Sequence, residues 1–413
     1  MVVYTHFLYL AYIYISIFIS VSSSLYILLI FYFYKKRERT KSSSNTKDSL
    51  TILIPVYNEQ ESLFKKCIKS VKRQETKFIV IGNGCLSPYK QITEENGGKF
   101  VYLPKNIGKK GALATGIKLI KSEYVMFLDS DTILPKKAAE KLIEKFDDKT
   151  AGVGAEIRII KEKNKFVYYP SEMLQRLRQL SFKAMSYFDR VMVVNGQCAV
   201  YRTSVIKDFI CSKEFLNSEF LGKKLIIGDD IMITKHVNSL GYKTRMAQDV
   251  IVLTKGQSSF KNLVKQSIRW SRSGYINFIN GLKDRSIFKN GPLYTFFMFY
   301  IYTLPFLVLT ELILRGGLIA RIIFRRGLLD GGKLLMKSLY HTPVILQSFS
   351  TLYTGLKIVS FLSVVIMVYL IIKAMKKNRL RLLSYGSIML VVMFLTAIYA
   401  VISLNKHNNW LTR

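Results

Sequence analysis

The sequence predicts an α/β domain with a mostly parallel, doubly wound sheet that is joined to membrane helices. Short apolar runs alternate with amphipathic stretches between residues 50 and 128, and long apolar runs lie toward both ends of the chain. The predicted strands are Thr51–Val56, Phe78–Ile81, Val101–Leu103 and Val125–Leu128. The spacing of Leu63, Ile68 and Val71 predicts one intervening helix, and the run from Gly108 to about Ile120 predicts another. Ligands of such sheets bind at the carboxyl ends of the strands.

The N-terminal apolar run, from about Phe7 to Tyr34, predicts a transmembrane helix that is retained in the protein. It is longer than the core of a signal peptide, and no positive region precedes it. Lys35, Lys36 and Arg37 follow it, so the positive-inside rule predicts that the next domain is cytosolic. The polar stretch from Arg37 to Asp48 predicts a linker.

The C-terminal part of the sequence predicts one interfacial helix and several spans. From Phe260 to about Leu282, apolar residues share one helical face and basic residues flank it, which is typical of a helix in the membrane interface. Three later runs are long enough to cross a bilayer: Pro292–Leu314, about Ser350–Ile372 and Ser384–Leu404. Their connections are all basic, so the positive-inside rule does not orient them.

These segments give a predicted domain map. It consists of an N-terminal transmembrane helix (1–34), a linker (35–49), a cytosolic catalytic domain (50–257), an interfacial helix (258–284), transmembrane helices (285–404) and a C-terminal tail (405–413). Three spans after a cytosolic domain would place that tail outside the cell. Either the segment from about Arg315 to Leu339 contains another crossing, or one apparent span is re-entrant.

Charge and cysteine content narrow the function classes. The 413 residues include 62 Lys and Arg against 27 Asp and Glu, a net charge of +35, which suits anionic lipid, a phosphate-bearing substrate or nucleic acid. Much of the excess lies beside apolar segments, and neither zinc-finger spacing nor an RNA-binding signature accompanies it, which favours a lipid bilayer and no nucleic acid. The four cysteines have neither metal-site spacing nor the density of a disulfide-rich secreted domain.

The strongest local signal is Asp129-Ser130-Asp131 at the end of a predicted strand. Two carboxylates at this spacing can share Mg or Mn with the diphosphate of a nucleotide, which offsets the charge that develops as the nucleotide leaves. A solvated acidic turn has the same pattern, because Asp-x-Asp is common by chance. The neighbouring segments therefore decide its meaning.

Two further strand ends support a nucleotide site. Pro55, Tyr57 and Glu59 follow the first strand, where a ring and a carboxylate could hold a base and a ribose. Lys109 lies in a glycine-containing loop, Asn106–Gly111, that opens a helix and suits an anion such as pyrophosphate. An ordinary strand-to-helix turn and a basic helix cap are the alternatives.

Together these segments resemble the family 2 glycosyltransferases, a large inverting group with a nucleotide-binding domain of the GT-A type. Asp229 and Asp230 follow Gly228 as in the Gly-Asp-Asp of hyaluronan-synthase-like members. That resemblance implies that Asp230 is the base that deprotonates the acceptor hydroxyl. A helix N-cap would carry the same residues.

The most specific match is Gln266-Ser267-Ile268-Arg269-Trp270, which resembles the Gln-x-x-Arg-Trp signature of processive synthases that make cellulose, chitin, hyaluronan and some capsules. The resemblance implies that Arg269 contacts the donor diphosphate and that Trp270, with Gln266, binds the acceptor sugar. A basic residue beside a membrane-interface Trp is the alternative. Relatives have an acceptor-site loop where this chain has Asn195-Gly196-Gln197.

Two positions depart from the pattern of the family. Many members have an acidic pair after the second strand, whereas this chain has Gly82-Asn83-Gly84, where the amide of Asn83 could bond the base. That variant resembles a capsule synthase subgroup that uses UDP-glucose and UDP-glucuronate. The terminal Trp410-Leu411-Thr412-Arg413 resembles the Trp-Gly-Thr-Arg of hyaluronan-type synthases, so Trp410 and Arg413 are further candidates.

The sequence thus predicts a multi-pass enzyme of the cell membrane that uses a UDP-sugar to elongate and export a β-linked polysaccharide. The rival interpretations are a non-processive transferase acting on a polyprenyl phosphate or glycolipid, a catalytically inactive scaffold, and a protein that binds anionic lipid or nucleic acid. The sugars, the processivity and the oligomeric state stay open.

Overall fold

The computed structural model describes residues 2–34, 49–326, 350–373 and 378–407. The chain divides into two compact units, Met1–Tyr32 with Phe296–Ala374, and Phe33–Thr295 with Met375–Arg413. The predicted linker at residues 37–48 lies outside the described residues, as does the tail after His407.

In its described residues, the first unit contains three long apolar helices, except for a few of their terminal residues. They are α1 (Val2–Tyr34), α12 (Pro292–Arg326) and α13 (Ser350–Lys373). The rings of Tyr26 and Tyr300 stack with 4.1 Å between centroids, and Ser16 Oγ donates to Glu311 Oε1 at 2.8 Å. Within the described ranges, four helical segments are long and apolar enough to cross a membrane: Leu8–Tyr34, Pro292–Arg321, Gly355–Lys373 and Arg379–Ile402. The sequence left open another crossing from about Arg315 to Leu339. Only its part up to Arg326 is described, and this part continues α12.

The second unit contains the sheet. Its strands are β1 (Leu50–Val56), β2 (Lys77–Asn83), β3 (Lys99–Leu103), β4 (Tyr124–Leu128), β5 (Thr150–Ile159), β6 (Cys198–Arg202) and β9 (Lys243–Thr254), in the spatial order β3-β2-β1-β4-β6-β5-β9. The four predicted strands are confirmed, and β1, β2, β3 and β4 pair in parallel. A small hairpin, β7 (Glu219–Phe220) and β8 (Lys223–Lys224), lies outside this sheet. The α/β fold with a mostly parallel sheet is therefore as predicted.

Nine helices and helical turns accompany the sheet in the described part of this unit before residue 285. They are α2 (Glu61–Lys72), α3 (Tyr89–Glu95), α4 (Gly108–Lys118), α5 (Ala138–Ile143), α6 (Lys165–Tyr187), α7 (Thr203–Cys211), α8 (Lys213–Leu216), α9 (Asp229–Ser239) and α10 (Phe260–Lys283), and the short α11 (Ser286–Lys289) follows them. The helix predicted from Leu63, Ile68 and Val71 is α2, and all three side chains are buried in the core beside β1. Burial of these apolar faces is what stabilises the layers.

Strand β6 was not predicted, and it positions part of the site. It runs antiparallel to β4 and to β5, in the middle of the sheet. Because its chain direction is reversed, the loop that precedes it lies at the edge where β4 ends. Gln197 O accepts a hydrogen bond from Asp129 N at 3.1 Å, so the Asn195–Gln197 loop is tied to the end of β4.

The last predicted span is two helices in the structure. Helix α14 (Arg379–Gly386) and helix α15 (Ile388–Ile402) meet at Ser387, and a single turn of 3-10 helix, Leu404–Lys406, follows. Both belong to the second unit, with the sheet, rather than to the unit that holds α12 and α13.

Candidate functional site

Lys109 joins two segments that are far apart in sequence. Its Nζ lies 2.6 Å from Asp129 Oδ1, at the end of β4, and 3.6 Å from Asp229 Oδ2, at the start of α9. Burial alone would lower the pKa of Lys109, but the carboxylates of Asp129 and Asp229 raise it, so the ammonium stays charged. The predicted phosphate-binding lysine therefore connects the Asp-x-Asp strand end with the Gly-Asp-Asp helix.

Asp131 lies in a different environment, among acidic neighbours. Its Oδ1 accepts hydrogen bonds from the hydroxyls of Thr132 and Thr254, each at 3.2 Å. Burial, followed by the charges of Asp129 and Glu59, raises the pKa of Asp131 to about 7. Hydroxyl donors offset this only in part, so a bound cation would stabilise the ionised carboxylate.

The donor atoms at this strand end fit a divalent cation that is shared with a ligand. Carboxylate oxygens are the ligands that Mg and Mn prefer, and Asp129 and Asp131 supply them from one turn. In the described part of the chain, no three His, Cys, Asp or Glu side chains form a group that could hold a metal on its own. Because Mg demands octahedral coordination, two carboxylates leave positions that the oxygens of a diphosphate could fill.

The loop after β1 contributes Tyr57 and Glu59. The ring of Tyr57 is exposed, and the hydroxyl of Tyr89 donates to the main-chain oxygen of Glu59 at 2.6 Å, which fixes the loop. Asn58 between them has φ of 48°, a left-handed conformation that Asn tolerates better than most residues. Pro55 is in β1, opposite Ile81 of β2. Their predicted contacts with a nucleoside stay predictions.

Asn83, at the end of β2, is engaged with the neighbouring loop. Its Nδ2 donates to Asn106 Oδ1 at 2.8 Å, and its Oδ1 accepts from Ile107 N at 2.9 Å. Asn106 Oδ1 also accepts from Gly108 N at 2.9 Å. Asn83 thus holds the loop that presents Lys109, and its predicted contact with a base stays a prediction.

Asp229 and Asp230 occupy the first turn of α9, where their negative charges interact favourably with the helix dipole. The preceding Gly228 has φ of 81°, and a Cβ there would lie 2.3 Å from Ser273 Oγ of α10, so the position requires glycine. Burial and the charge of Asp229 raise the pKa of Asp230, while Lys109 and Arg178 act in the opposite direction. A buried carboxylate with a raised pKa is suited to accept a proton.

The Asn195–Gly196 loop packs against Asp230. Thr234 Oγ1 donates to Asp230 O at 2.7 Å and accepts from Val194 N at 2.9 Å, which ties α9 to the loop. A Cβ on Gly196 would lie 3.2 Å from Asp230 Cβ, so a larger residue would press on the candidate base. Asn195 is 1% exposed, and its Nδ2 has no hydrogen-bond partner among the described atoms.

Arg178 of α6 is a component that sequence reasoning missed. Its guanidinium carbon lies 4.3 Å from the centroid of the Trp270 ring, and its Nη2 donates to Asn195 Oδ1 at 3.4 Å. With its effect on Asp230, these contacts place Arg178 between the predicted acceptor residues and the predicted base. The sequence offers one signal, a second arginine two residues after Arg176 in an amphipathic helix, but nothing in the pattern indicates its partners.

Helix α10 carries the Gln-x-x-Arg-Trp segment. The hydroxyl of Ser259 caps the helix by accepting from Asn262 N at 3.2 Å. Gln266, Arg269 and Trp270 are all half-buried. The contact with Arg178 connects Trp270 to Asp230, whereas the roles predicted for Gln266 and Arg269 stay predictions. Trp410 and Arg413 lie outside the described residues.

Comparisons with known proteins give a consistent picture. Residues 51–210 match the model of the Glycosyl transferase family 2. Similar curated proteins include an N-acetylglucosaminyltransferase of Mesorhizobium japonicum, 27% identical over 55% of this chain and 56% of that protein, and hyaluronan synthase 2 of Xenopus laevis, 24% identical over 54% of this chain and 50% of that protein. The chain therefore spans about half the length of the curated relatives it matches.

A solved structure extends the similarity in fold. A mannosyltransferase from Pyrobaculum calidifontis, in complex with GDP-mannose and Mn2+, has a TM-score of 0.58 and 15% identity, covering 87% of this chain and 98% of that chain. At this identity the likeness shows the fold alone, which confirms the predicted GT-A architecture.

Proposed function

We propose that this chain, whose residues 51–210 are a family 2 glycosyltransferase domain, transfers sugar from a nucleotide-sugar in the cytosol to a growing polysaccharide. The observation that carries the proposal is the pair of contacts from Lys109 to Asp129 and to Asp229. Through it, the strand end suited to a diphosphate and the carboxylates suited to proton abstraction share one site.

The reaction is a single displacement at the anomeric carbon. Asp230 takes the proton of the acceptor hydroxyl, the hydroxyl oxygen forms the new bond to that carbon, and the bond to the diphosphate oxygen breaks. Because attack comes from the side opposite the leaving group, an α-linked donor gives a β-linked product. Asp230 is buried beside Asp229, which raises its pKa and makes it a stronger base once it is ionised.

Charge on the departing nucleoside diphosphate is neutralised by side chains of this domain. Lys109 remains protonated between Asp129 and Asp229, and Arg269 of α10 is the second cation proposed for the diphosphate. Asp129 and Asp131 would hold Mg or Mn, which supplies further charge neutralisation at the diphosphate when bound. Tyr57, Glu59 and Asn83 are proposed to hold the nucleoside of a UDP-sugar, beside Pro55.

The acceptor side combines an aromatic plane with amide groups. An indole face stacks well on a pyranose ring, and Trp270 already holds a guanidinium on one face. Asn195, whose Nδ2 has no partner in the described part of the chain, can donate a hydrogen bond to a sugar hydroxyl, and Gly196 leaves space beside Asp230. Gln266 lies one turn before Trp270 on α10.

Polymer elongation and a multi-pass membrane location are supported by two observations. Relatives named hyaluronan synthase share about half of the chain, and α10 carries the Gln-x-x-Arg-Trp segment on a helix with a basic, amphipathic pattern. The basic residues after α1 support a cytosolic location of the catalytic domain. Nucleotide-sugars are made in the cytosol. Export of the polymer through the membrane helices is part of the same proposal.

The test is product analysis with protein purified in detergent. We expect that one or two members of a panel of labelled UDP-sugars, with Mg or Mn, give a ladder of long products, and that EDTA abolishes it. If the only product is a single sugar on a lipid acceptor, the protein is a non-processive transferase and elongation is ruled out. Salt-dependent binding of lipid or nucleic acid without any sugar turnover would overturn the enzymatic proposal.

A further inference from the structure

Lys110 is a buried lysine to which the proposed reaction gives no role. It follows Lys109 on α4, and only 8% of it is exposed. Successive residues of a helix point about 100° apart, so the two lysine side chains leave α4 in different directions. Lys109 reaches two aspartates of the site, whereas Lys110 reaches the chain before and after the Gly-Asp-Asp segment, Gly228–Asp230.

The ammonium of Lys110 has an acceptor for each of its three hydrogens. Nζ lies 2.7 Å from Ser218 Oγ, 2.8 Å from Leu225 O and 3.3 Å from Met232 Sδ. It also lies 5.4 Å from the centroid of the Phe215 ring, which adds a cation–π contact. A lysine ammonium has three donors and no acceptor, so these bonds engage the whole group.

Burial makes this amine costly to place, and the contacts offset that cost. Loss of water lowers the pKa of Lys110 to about 8, and the charge of Lys224 acts in the same direction, whereas the charge of Asp229 raises it. Without the amine, Leu225 O would keep only the long contact from Ser218 Oγ at 3.5 Å. A buried acceptor that loses its partner is destabilising, so an apolar side chain cannot replace Lys110.

The first two acceptors close the loop that contains the β7–β8 hairpin. Leu225 N donates to Ser218 O at 2.7 Å, so the two strands of the loop meet at these residues. Lys110 bonds both of them from the side of α4. Leu225 is 6% exposed and stands three positions before Gly228. Lys110 therefore holds the chain where it enters the Gly-Asp-Asp segment.

The third acceptor lies beyond the same segment. Met232 is on α9, two positions after Asp230. One amine thus bonds the chain on both sides of the candidate base, and it does so from the helix that presents Lys109. The loop before α4 has separate support, because Asn83 holds it with two hydrogen bonds. Loss of the amine of Lys110 would therefore loosen the segment of the base and leave the loop of Lys109 in place.

We propose that Lys110 is a positioning residue for sugar transfer, which holds Asp230 at a fixed distance from Lys109 and so from the donor. This role depends on the function proposed above, in which Asp230 is the base and Lys109 contacts the diphosphate. Rates depend steeply on such distances, since a misplacement of about 1 Å can cost about 10²-fold. Lys110 itself touches no substrate and acts only through the segment that it bonds.

The substitution Lys110→Met tests this role in the full-length protein in detergent, because it removes the donors and keeps an unbranched side chain. The matched control is Lys207→Met. Lys207 Nζ donates to Ile120 O at 3.1 Å, just beyond the other end of α4, so the control removes a lysine bond of the same kind away from the site. The readouts are amide hydrogen exchange in the peptide Leu225–Met232, kcat for transfer from a UDP-sugar, and affinity for UDP.

We expect exchange in the peptide Leu225–Met232 to become about tenfold faster in Lys110→Met, because this segment opens more often. The kcat should fall by about 10–10²-fold, while affinity for UDP changes by less than about threefold. Lys207→Met should leave all three readouts unchanged. Unaltered exchange, or faster exchange with an unaltered kcat, would overturn the inference. A parallel loss of kcat and UDP affinity would also overturn it, since that is the signature of general destabilisation.

Two further outcomes keep the test decisive. If the unaltered chain transfers no sugar, the proposed function fails, and the exchange in Lys110→Met still decides whether the amine holds the segment: faster exchange supports the hold, and unchanged exchange overturns it. If Lys110→Met does not fold, Ser218→Ala removes one of the three acceptors and retains the lysine. Faster exchange and a lower kcat at unchanged UDP affinity then support the inference, and wild-type values overturn it.

Discussion

The two acidic pairs of the candidate site, Asp129 with Asp131 and Asp229 with Asp230, differ in what surrounds them. Asp131 has the carboxylates of Asp129 and Glu59 as its charged neighbours and two hydroxyls as donors. Asp230 has Lys109 and Arg178 near it as well as Asp229. Lys109 Nζ lies 2.6 Å from Asp129 Oδ1, so the first pair has a cation at Asp129, but the charges that act most on Asp131 are negative, whereas two cations act on Asp230.

This difference indicates how the two halves of the site would be used. A carboxylate among acidic neighbours, such as Asp131, favours a ligand that brings a divalent metal, so the donor half of the site, around Asp129 and Asp131, would become complete when a nucleotide-sugar binds. In the acceptor half of the site, around Asp230, Lys109 and Arg178 oppose the rise in pKa that burial and Asp229 cause, which favours the ionised carboxylate that a general base requires. Substitutions at Asp230, Asp131, Arg178 and Asn83 separate these two roles.

The largest effect is expected from Asp230→Asn. The amide cannot accept the proton of the acceptor hydroxyl, so we expect that the rate of sugar transfer falls by about 10²–10⁴-fold. Binding of the donor should change little, which thermal stabilisation by UDP and Mn measures. The matched control is Asp208→Asn, an exposed aspartate on α7, for which wild-type activity is expected. Normal elongation by Asp230→Asn would remove Asp230 from the mechanism.

Asp131→Asn tests the donor half. It should lower activity when metal and donor are present and raise stability when they are absent. With metal and donor present, we expect that activity falls by about 10²-fold and that the concentration of Mn needed for half-maximal rate rises, because one anionic ligand is lost. In EDTA the same variant should be more stable than the wild type at pH 8. The ionised Asp131 opposes folding there, since its pKa is about 7 in the folded chain and 3.8 ordinarily.

The pH dependence of that gain follows from the raised pKa. Between pH 8 and pH 5 the wild-type carboxyl takes up its proton in the folded state, so the destabilising charge disappears and the difference in thermal midpoint should shrink. At most about 4 kcal/mol is available, from a shift of about three pKa units. A difference that is constant with pH, or that grows toward pH 5, would contradict the assignment. Asp208→Asn again serves as the control.

Two substitutions of Arg178 test the acceptor half. One removes its charge, and the other keeps the charge but changes the shape of the side chain. Arg178→Gln removes the cation, so the pKa of Asp230 should rise, and the acidic limb of the activity profile should move to higher pH. Arg178→Lys retains the charge but loses the planar contact with Trp270, so it should move the limb less and mainly raise the KM for an acceptor. We expect losses of about tenfold at neutral pH. Equal profiles for both variants would reduce Arg178 to a packing role.

The contrast between the halves also shows what the sequence could predict. The donor half follows strands β1, β2 and β4, whose apolar runs are contiguous, so the ends of these runs mark where functional side chains begin. Asp129 and Lys109 were found in this way, because each lies within a few residues of the boundary of an element. The parallel pairing of these strands follows from the same runs and from the helices predicted between them.

The acceptor half depends on contacts between distant segments. Arg178 and Trp270 are separated by 92 positions, and no local pattern links them. Strand β6 runs antiparallel to β4 and to β5, and the pattern of its own residues does not indicate this direction. Likewise, the apolar residues 384–404 predict a span by length and composition, whereas the bond between Ser267 and Thr396 that places α15 on α10 involves two ordinary polar residues.

Asn83→Ala is expected to have the smallest effect, and it distinguishes two roles on the donor side. If Asn83 mainly holds the loop at Asn106 and Ile107, its loss loosens the loop that presents Lys109, and affinity for every nucleoside diphosphate should fall by the same factor of about three to ten. If the amide reads the base, affinity for UDP should fall while GDP and CDP change little. Competition of each nucleotide against the donor measures the two patterns.

The geometry favours the first pattern, because both polar atoms of the Asn83 side chain already have partners in the loop. The control is Asn96→Ala, which removes a comparable bond from Nδ2 to Ile92 O at the end of α3. It should leave all three affinities unchanged. A selective loss for UDP would mean that the nucleotide draws Asn83 away from Asn106, so that binding itself rearranges the loop and the donor half is completed by the ligand in shape as well as in charge.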